Sequence, residues 1–213
     1  MTIGSIVRAY TAPFLVALPL LFGTLVVPSD ADADVLSDAT AEIELLIAEG
    51  RQEDAMSAAR QFVRLVSDMT GFGVTNAQLI EGAATGFGVF EPRDSNVYMP
   101  GEAVNAYVEV FGFSLTSSDA GTNRLLFDVA FTLDSPGGEQ MTDALIPMGE
   151  IQLESYSEPL DGYFHLTYRV SGADGAYNLR TQVTDRESGQ VTEFVLPVVF
   201  ETPDPPAEQS DKQ

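Results

Sequence analysis

Three aspartates stand on alternate positions in the stretch DADADV, residues 30–35, and carboxylates at such spacing are typical calcium ligands. An EF-hand loop that began at Asp30 would need Gly at its sixth position and Glu at its twelfth, where the sequence has Val35 and Ala41. The same stretch follows an apolar run and contains Ala31-Asp32-Ala33, a small-x-small pattern typical of a signal-peptide cleavage site. We therefore interpret it as a processing site, with cleavage after Ala33.

The single histidine, His165, is the only candidate base for a Ser-His-Asp triad. It stands on the polar side of an alternating strand pattern, and the sequence has no G-x-S-x-G motif, so an exposed strand residue is favoured. A zinc site built from one histidine and no cysteine would be unusual. The sequence therefore predicts no catalytic residues and no metal or cofactor.

Pairs of carboxylates offer the remaining chemistry. Asp185 with Glu187, or Asp143 with Glu150, could serve as the two acids of a glycosidase, and the loops that carry Asp174, Asp185 and Glu187 could hold calcium. The chain has 32 acidic residues, so such pairs arise by chance, and none of their spacings matches a known calcium loop. Turn-forming and solubilising roles are favoured for these acids.

The chain has 213 residues, of which 45% are hydrophobic, and a formal net charge of -22. This composition is sufficient for a packed core, and the charge disfavours binding to nucleic acid or to anionic lipid. Cations and basic proteins remain possible partners. The absence of cysteine excludes disulfides and thiol nucleophiles.

The N-terminal region predicts export. Arg8 precedes an uncharged stretch, residues 12–27, which two prolines and a glycine interrupt, and this pattern favours a signal peptide over a permanent anchor. If residues 1–33 are removed, one Arg and two Asp leave the formal charge of -22, so the mature chain carries -21. An uncleaved segment would also leave the rest outside the cytoplasm. We predict a periplasmic or secreted protein with no stable membrane span after cleavage.

Two amphipathic helices are predicted between Asp38 and Met69, from apolar residues that recur at helical spacing, and Gly50 separates them. Asp38 or Thr40 is a candidate cap for the first helix. The stretch AEGRQEDAMSAARQF resembles the turn and second helix of a tetratricopeptide hairpin, although no 34-residue period repeats it. A short third helix, Thr75–Ala84, is expected in the linker that completes segment 34–85.

The period changes to two after residue 86, which predicts a β domain over residues 86–201 and a disordered acidic tail over residues 202–213. About seven half-buried antiparallel strands are expected in a two-sheet sandwich, so the fold class is mainly β with a small α segment. The predicted strands lie near residues 88–91, 104–110, 125–133, 148–155, 163–170, 177–183 and 191–200.

Two stretches resemble immunoglobulin-like and fibronectin-like modules of secreted bacterial proteins. DGAYNLRTQVTDRESGQ is similar to their sixth strand, with Tyr177 as the corner tyrosine two residues before Leu179, and YMPGEAVNAYVEV is similar to their second strand. The chain departs from antibody domains because it has neither a cysteine pair nor tryptophan, and Leu179 and aromatic residues are expected to fill that place in the core. Such modules host many functions, so the resemblance implies a fold and no activity.

The strand over residues 103–113 is apolar on both faces, because Tyr107, Phe111 and Phe113 lie opposite its valines. Exposed, these three side chains would present on the order of 500 Å² of apolar surface. We predict that the helical hairpin covers them, through Phe62, Val63, Val66 and Met69, and the alternative is a binding site for another protein. The sequence thus predicts an exported, non-enzymatic binding or scaffolding protein with a partner in the cell envelope. The alternative is a small secreted hydrolase or a calcium-dependent carbohydrate-binding module that uses loop carboxylates.

Overall fold

The computed structural model describes residues 30–201, with side chains from residue 33. The chain begins with helix α1, Asp30–Ala48, and helix α2, Gln52–Thr70. Gly50, in the left-handed conformation at φ 74°, ends the first helix as predicted, and buried Leu46 and Ala55 belong to the two facing helices. The proposed cap near Asp38 is wrong, because α1 already runs through that position. Residues 1–29 of the predicted signal peptide, 1–33, and the predicted tail, 202–213, lie outside the described residues.

In the described residues 30–201 nine strands follow the helices, and this part of the chain is mainly β. They are β1 (Gly73–Ile80), β2 (Val97–Tyr98), β3 (Ala103–Phe111), β4 (Thr116–Ser117), β5 (Asn123–Asp134), β6 (Ile146–Ser155), β7 (Asp161–Arg169), β8 (Gly175–Asp185) and β9 (Val191–Phe200). Sheet A has the order β1-β3-β7. Sheet B has the order β2-β9-β8-β5-β4, with β6 also paired to β5. Every pairing is antiparallel except that of β2 with β9.

The two sheets share one apolar core, to which each strand contributes alternate residues. Phe127 of sheet B lies 5.8 Å, between ring centroids, from Phe164 of sheet A, and Phe131 meets Tyr168 edge-on at 5.1 Å. The Tyr168 hydroxyl also forms a 2.7 Å hydrogen bond with the Thr181 hydroxyl, which satisfies both buried groups. Leu179 is fully buried, in the position where the sequence places it.

Two predictions for residues 75–91 are wrong. The expected third helix is strand β1, which pairs with β3 from Gly73↔Phe111 to Ile80↔Asn105. The expected strand near residues 88–91 is one side of a short irregular arm, residues 81–91, in which Glu81 N–H donates to the Glu91 carbonyl at 2.8 Å. The sequence of β1 is compatible with a helix, but pairing with the largely buried strand β3 overrides the local preference.

A buried ion pair supports sheet B at the end of β5. Asp134, only 4% exposed, accepts a 2.7 Å hydrogen bond from Arg180 Nε and a 2.8 Å hydrogen bond from the Thr132 hydroxyl. The hydrogen bond from Arg180 holds the pKa of the Asp134 carboxyl below its usual value. The carboxylate is therefore stabilising only while it is ionised.

The hairpin joins the β domain over a small area at the end of α2. The backbone of Gly112, at φ 66°, lies so close to Gly71 that a Cβ at Gly112 would overlap the Gly71 carbonyl oxygen. Phe72 N–H donates to Gln190 Oε1 at 2.9 Å, and Arg64 pairs with Glu158 at 3.4 Å. Among residues 30–201 no helix is both long enough and apolar enough to cross a membrane.

Candidate functional site

An open cleft of about 620 Å³ lies between the two sheets, on the side where β6 and β7 follow each other in the chain. Leu125, Ile151 and Leu153 of sheet B form one apolar wall, and residues 161–165 of β7 form the other. Phe87, on the arm, also lines it. Its size and mostly apolar lining are typical of ligand-binding clefts.

The cleft borders the backbone edge of β7. Successive strand residues point to opposite faces, so a cavity that touches five in a row lies beside the strand and not over one face. The other edge of β7 pairs with β3 over its full length, from Phe111↔Asp161 to Ala103↔Arg169. The edge at the cleft pairs with no strand among residues 30–201.

The connection from β6 to β7 explains why the sheets are open here. Residues 156–160 carry the chain from the edge of sheet B to the edge of sheet A, and Pro159 in this connection lines the cleft. Because β6 and β7 belong to different sheets, their backbones do not pair with each other. Ile151 and Leu153 of β6 pack against the core but remain only half-buried.

Two carboxylates, Glu154 and Asp161, and one histidine, His165, line the cleft. Asp161 and His165 are exposed, and within the described part of the chain neither side chain has a hydrogen-bond or ion-pair partner. Glu154 accepts a 3.0 Å hydrogen bond from Gln152 and lies 3.9 Å from Arg124 Nε. Two carboxylates beside an apolar cavity favour a ligand that combines an apolar part with positive charge.

The arm lies over the outer face of sheet A next to the cleft. At its tip Phe87 meets the Tyr163 ring edge-on at 6.0 Å, and Tyr163 stacks on Tyr107 at 5.6 Å. Gly88 N–H donates to the Tyr107 hydroxyl at 2.7 Å, and that hydroxyl donates to Glu109 Oε1 at 2.8 Å. This cluster fixes the arm beside the cleft while leaving Phe87 48% exposed at its rim.

Tyr107, Phe111 and Phe113, the three aromatic residues predicted on one face of a single strand, lie in three different environments. Tyr107 is fully buried, and its cover is Phe90 of the arm, with ring centroids 4.3 Å apart, so the prediction that the hairpin covers it is wrong. Burial raises the pKa of Tyr107 to about 12. Phe111 packs on Gly73, its partner in β1.

Phe113 belongs to neither face of β3, which ends at residue 111. Gly112 has a positive φ and breaks the alternation, so the Phe113 ring turns into the core and meets Phe127 edge-on at 6.1 Å. The hairpin touches this region, because Arg64 and Phe113 line one small crevice of about 20 Å³. In the apolar stripe of α2, Val63 and Met69 nevertheless stay exposed, and Phe62 and Val66 are only half-buried.

Asp185, one of the acidic residues considered for calcium, has a structural role. Asp185 is fully buried and accepts hydrogen bonds from Ser114 N–H at 2.9 Å, the Ser188 hydroxyl at 2.6 Å and Glu187 N–H at 3.2 Å. The carboxylate ties the turn between β8 and β9 to the segment after β3. Within the described residues no three His, Cys, Asp or Glu side chains are grouped as metal ligands. Of the other acid pair, Glu150 forms an ion pair with Arg186.

His165 is exposed on the outer face of sheet A, as its strand pattern predicts, and it lies across from Tyr107 in the register of β3 and β7. The sequence predicts neither its position beside the cleft nor the roles of Leu153 and Phe87. Alternation predicts that Leu153 lies on an apolar face of β6. Whether that face lines the core or an opening depends on which sheet β6 joins. The sequence around Phe87 carries only the signals of a glycine-rich linker.

Comparison with known proteins gives distant structural likenesses. No family model and no curated protein matches the sequence. The sporulation control protein Spo0M from Bacillus subtilis is 12% identical, with a TM-score of 0.32 over 62% of this chain and 49% of that chain. A Niemann-Pick type C2 protein from the Japanese carpenter ant is 5% identical, with a TM-score of 0.34 over 62% of this chain and 93% of that chain. A β-glucosidase from Listeria innocua is 10% identical, with a TM-score of 0.32 over 62% of this chain and 16% of that chain. This chain thus spans about half of Spo0M and a small part of the glucosidase, and such scores indicate neither family nor function.

Proposed function

We propose that this chain is an exported, non-enzymatic binding or scaffolding protein that acts through an immunoglobulin-like β-sandwich. Its binding site is the cleft between β6 and β7, which holds an apolar part of a partner in the cell envelope. The observation that carries this proposal is the cleft of about 620 Å³, lined by half-buried leucine and isoleucine side chains and bordered by a strand edge with no partner among residues 30–201.

The strand order supports the immunoglobulin-like part of the proposal. With β1, β3, β5, β7, β8 and β9 taken as strands A, B, C, E, F and G, sheet A has the order A-B-E and sheet B contains C-F-G, as in immunoglobulin-type sandwiches. The Tyr177 hydroxyl donates to the Asp174 carbonyl at 3.2 Å, which is the hydrogen bond that a corner tyrosine makes to the backbone a few residues upstream. Export is supported by the uncharged stretch 12–27 and by Ala31-Asp32-Ala33 in the sequence.

Binding of a neutral apolar fluorophore, N-phenyl-1-naphthylamine, tests the site. We expect saturable binding of the fluorophore to the full chain. Leu153→Asn should weaken this binding about tenfold, because the amide removes an apolar contact from the cleft wall and would be buried against the fluorophore without a hydrogen-bond partner. Ile146→Asn is the matched control, since it replaces an apolar residue by asparagine on the same strand, at an exposed position outside the cleft lining. Equal affinity in both variants, with melting temperatures unchanged, would place the fluorophore outside the cleft and contradict the proposal.

A further inference from the structure

We propose that the partner binds as an added β-strand along the free edge of β7, with alternate apolar side chains in the cleft and basic side chains toward its acidic rim. This inference rests on the proposed function and specifies its partner as an extended segment of another protein. A small apolar ligand would fill the cavity but would leave the backbone groups of β7 to water. An added strand would fill the cavity with its side chains and would also form hydrogen bonds with the backbone groups of β7.

The edge of β7 differs from the other sheet edges because it has no device that prevents pairing. It is nine residues long and pairs with β3 in unbroken register, whereas β1 and β6 each belong to a pairing with a register shift. On β6 the register shift lies between Pro147 and Gly149. Because proline has no backbone N–H, Pro147 cannot donate a hydrogen bond to an added strand. β2 and β4 have only two residues each.

The sequence of β7 also lacks charges that would repel a neighbouring strand. Its only charged residues are Asp161 and Arg169 at its two ends. Exposed edge strands in proteins are commonly protected by charge, proline or bulges, and a long edge without them is a template for another chain. An unprotected edge beside a cavity is therefore best explained as a binding edge.

The cleft has the placement that an added strand requires. A strand paired to β7 lies about 4.8 Å from it, on the side where Ile151 and Leu153 form the opposite wall. Every second side chain of that strand points toward the core side and enters the apolar cavity. The intervening side chains lie on the outer face of sheet A, near Phe87 and His165.

Charge complementarity indicates which strands are preferred. Asp161 has no partner among the described side chains, Glu154 is half-exposed with a distant arginine, and the whole chain carries -22. An acidic segment would be repelled, and a segment in which apolar and basic residues alternate would be attracted.

The experiment uses the full chain and a ten-residue peptide of alternating valine and lysine, capped at both ends. Hydrogen exchange is followed at residues 161–169 by mass spectrometry. We expect the peptide to slow exchange of part of this strand about tenfold, since those amides gain carbonyl partners. The same peptide with its alternate backbone nitrogens methylated keeps its side chains but cannot pair along one edge, and a peptide of alternating valine and glutamate reverses the charge.

Protection of β7 by the valine–lysine peptide, lost on backbone methylation and weakened in Leu153→Asn but not in Ile146→Asn, supports strand addition. Equal protection by the methylated peptide would overturn it, because side chains alone would then account for binding. If the fluorophore binds in the cleft but neither peptide protects β7, strand addition is refuted and the binding cleft stands. If neither fluorophore nor peptide binds, both proposals fail.

Discussion

Replacing Tyr107 by Phe tests whether the arm is held beside the cleft by one hydroxyl. The substitution leaves the ring, which stacks between Phe90 and Tyr163, and removes two hydrogen bonds. These are the bond from Gly88 N–H at 2.7 Å and the bond to Glu109 at 2.8 Å. The loss therefore measures polar contacts and not apolar burial.

The expected cost follows from the two bonds. A neutral hydrogen bond contributes about 1 kcal/mol net, and a bond to a charged group contributes about 1.5–3 kcal/mol. Water replaces part of this loss, because Gly88 is exposed and Glu109 is only half-buried. We expect the free energy of unfolding to fall by about 2 kcal/mol, roughly a 30-fold change in the unfolding equilibrium constant.

Denaturant unfolding of Tyr107→Phe and of a matched control, Tyr163→Phe, gives the measurement. The Tyr163 hydroxyl has no hydrogen-bond partner among the described residues, so we expect a change below about 0.5 kcal/mol for the control. Limited proteolysis should cut the arm faster in Tyr107→Phe alone. Equal stability of the two variants, with the arm equally resistant to protease, would refute the assignment of the arm's position to this hydroxyl.

The same hydroxyl predicts a dependence on alkaline pH. Burial raises the pKa of Tyr107 to about 12, above the ordinary value near 10 that the unfolded chain has. A raised pKa means that the folded protein favours the neutral phenol, so its contribution is complete below pH 10 and is lost as the pH rises through 12. Tyr107→Phe should reduce the fall in stability over this window. An unchanged profile would indicate that the phenol is not buried in solution.

Further predictions concern the core, the domain junction, the metal question and export. Asp134→Asn should cost about 1–3 kcal/mol at pH 7, and because the folded pKa of this carboxyl is lowered, the difference should disappear as the pH falls below that pKa, as unfolding curves will show. Gly112→Ala should destabilise the protein far more than Gly121→Ala, because both glycines have a positive φ but only at Gly112 would the new Cβ overlap a backbone atom, the Gly71 carbonyl oxygen. Comparable melting temperatures of the two variants would contradict this. Calcium and magnesium chloride at equal ionic strength should give the same melting temperature, and a rise in calcium alone that Asp185→Asn abolishes would contradict the structural role of that carboxylate. Mass spectrometry of the mature protein should find Asp34 or a close neighbour as the first residue, whereas a retained Met1 would identify an anchor.

Much of the fold could be predicted from periodicity, because a buried face imposes its period on the sequence. Strand β8 alternates around Leu179 and Val183, and both are fully buried. Gly50 separates two helical patterns, and its positive φ ends the first helix. These features depend on local sequence and on one buried face, which a single sequence records directly.

The site could not be predicted because it depends on partners that are distant in the chain. The residue pattern of β1 is compatible with a helix, and its pairing with β3 decides that it is a strand. The apolar face of β6 is a core face or a cleft wall according to which sheet β6 joins. Alternation predicts an outer face for Phe113, and the positive φ of Gly112 before it turns the side chain into the core. Positive φ at Gly112 cannot be deduced from composition.

Site-specific photo-crosslinking in the cells that make the protein tests binding through the cleft most directly. A benzoylphenylalanine at Phe87, which is 48% exposed at the rim, is compared with one at Val195, which is 51% exposed on β9. We predict a discrete adduct at position 87, identified by mass spectrometry as a segment with alternating apolar residues, and no such adduct at position 195. Equal adducts at both positions, or none at position 87, would contradict the assignment of the cleft as the binding site.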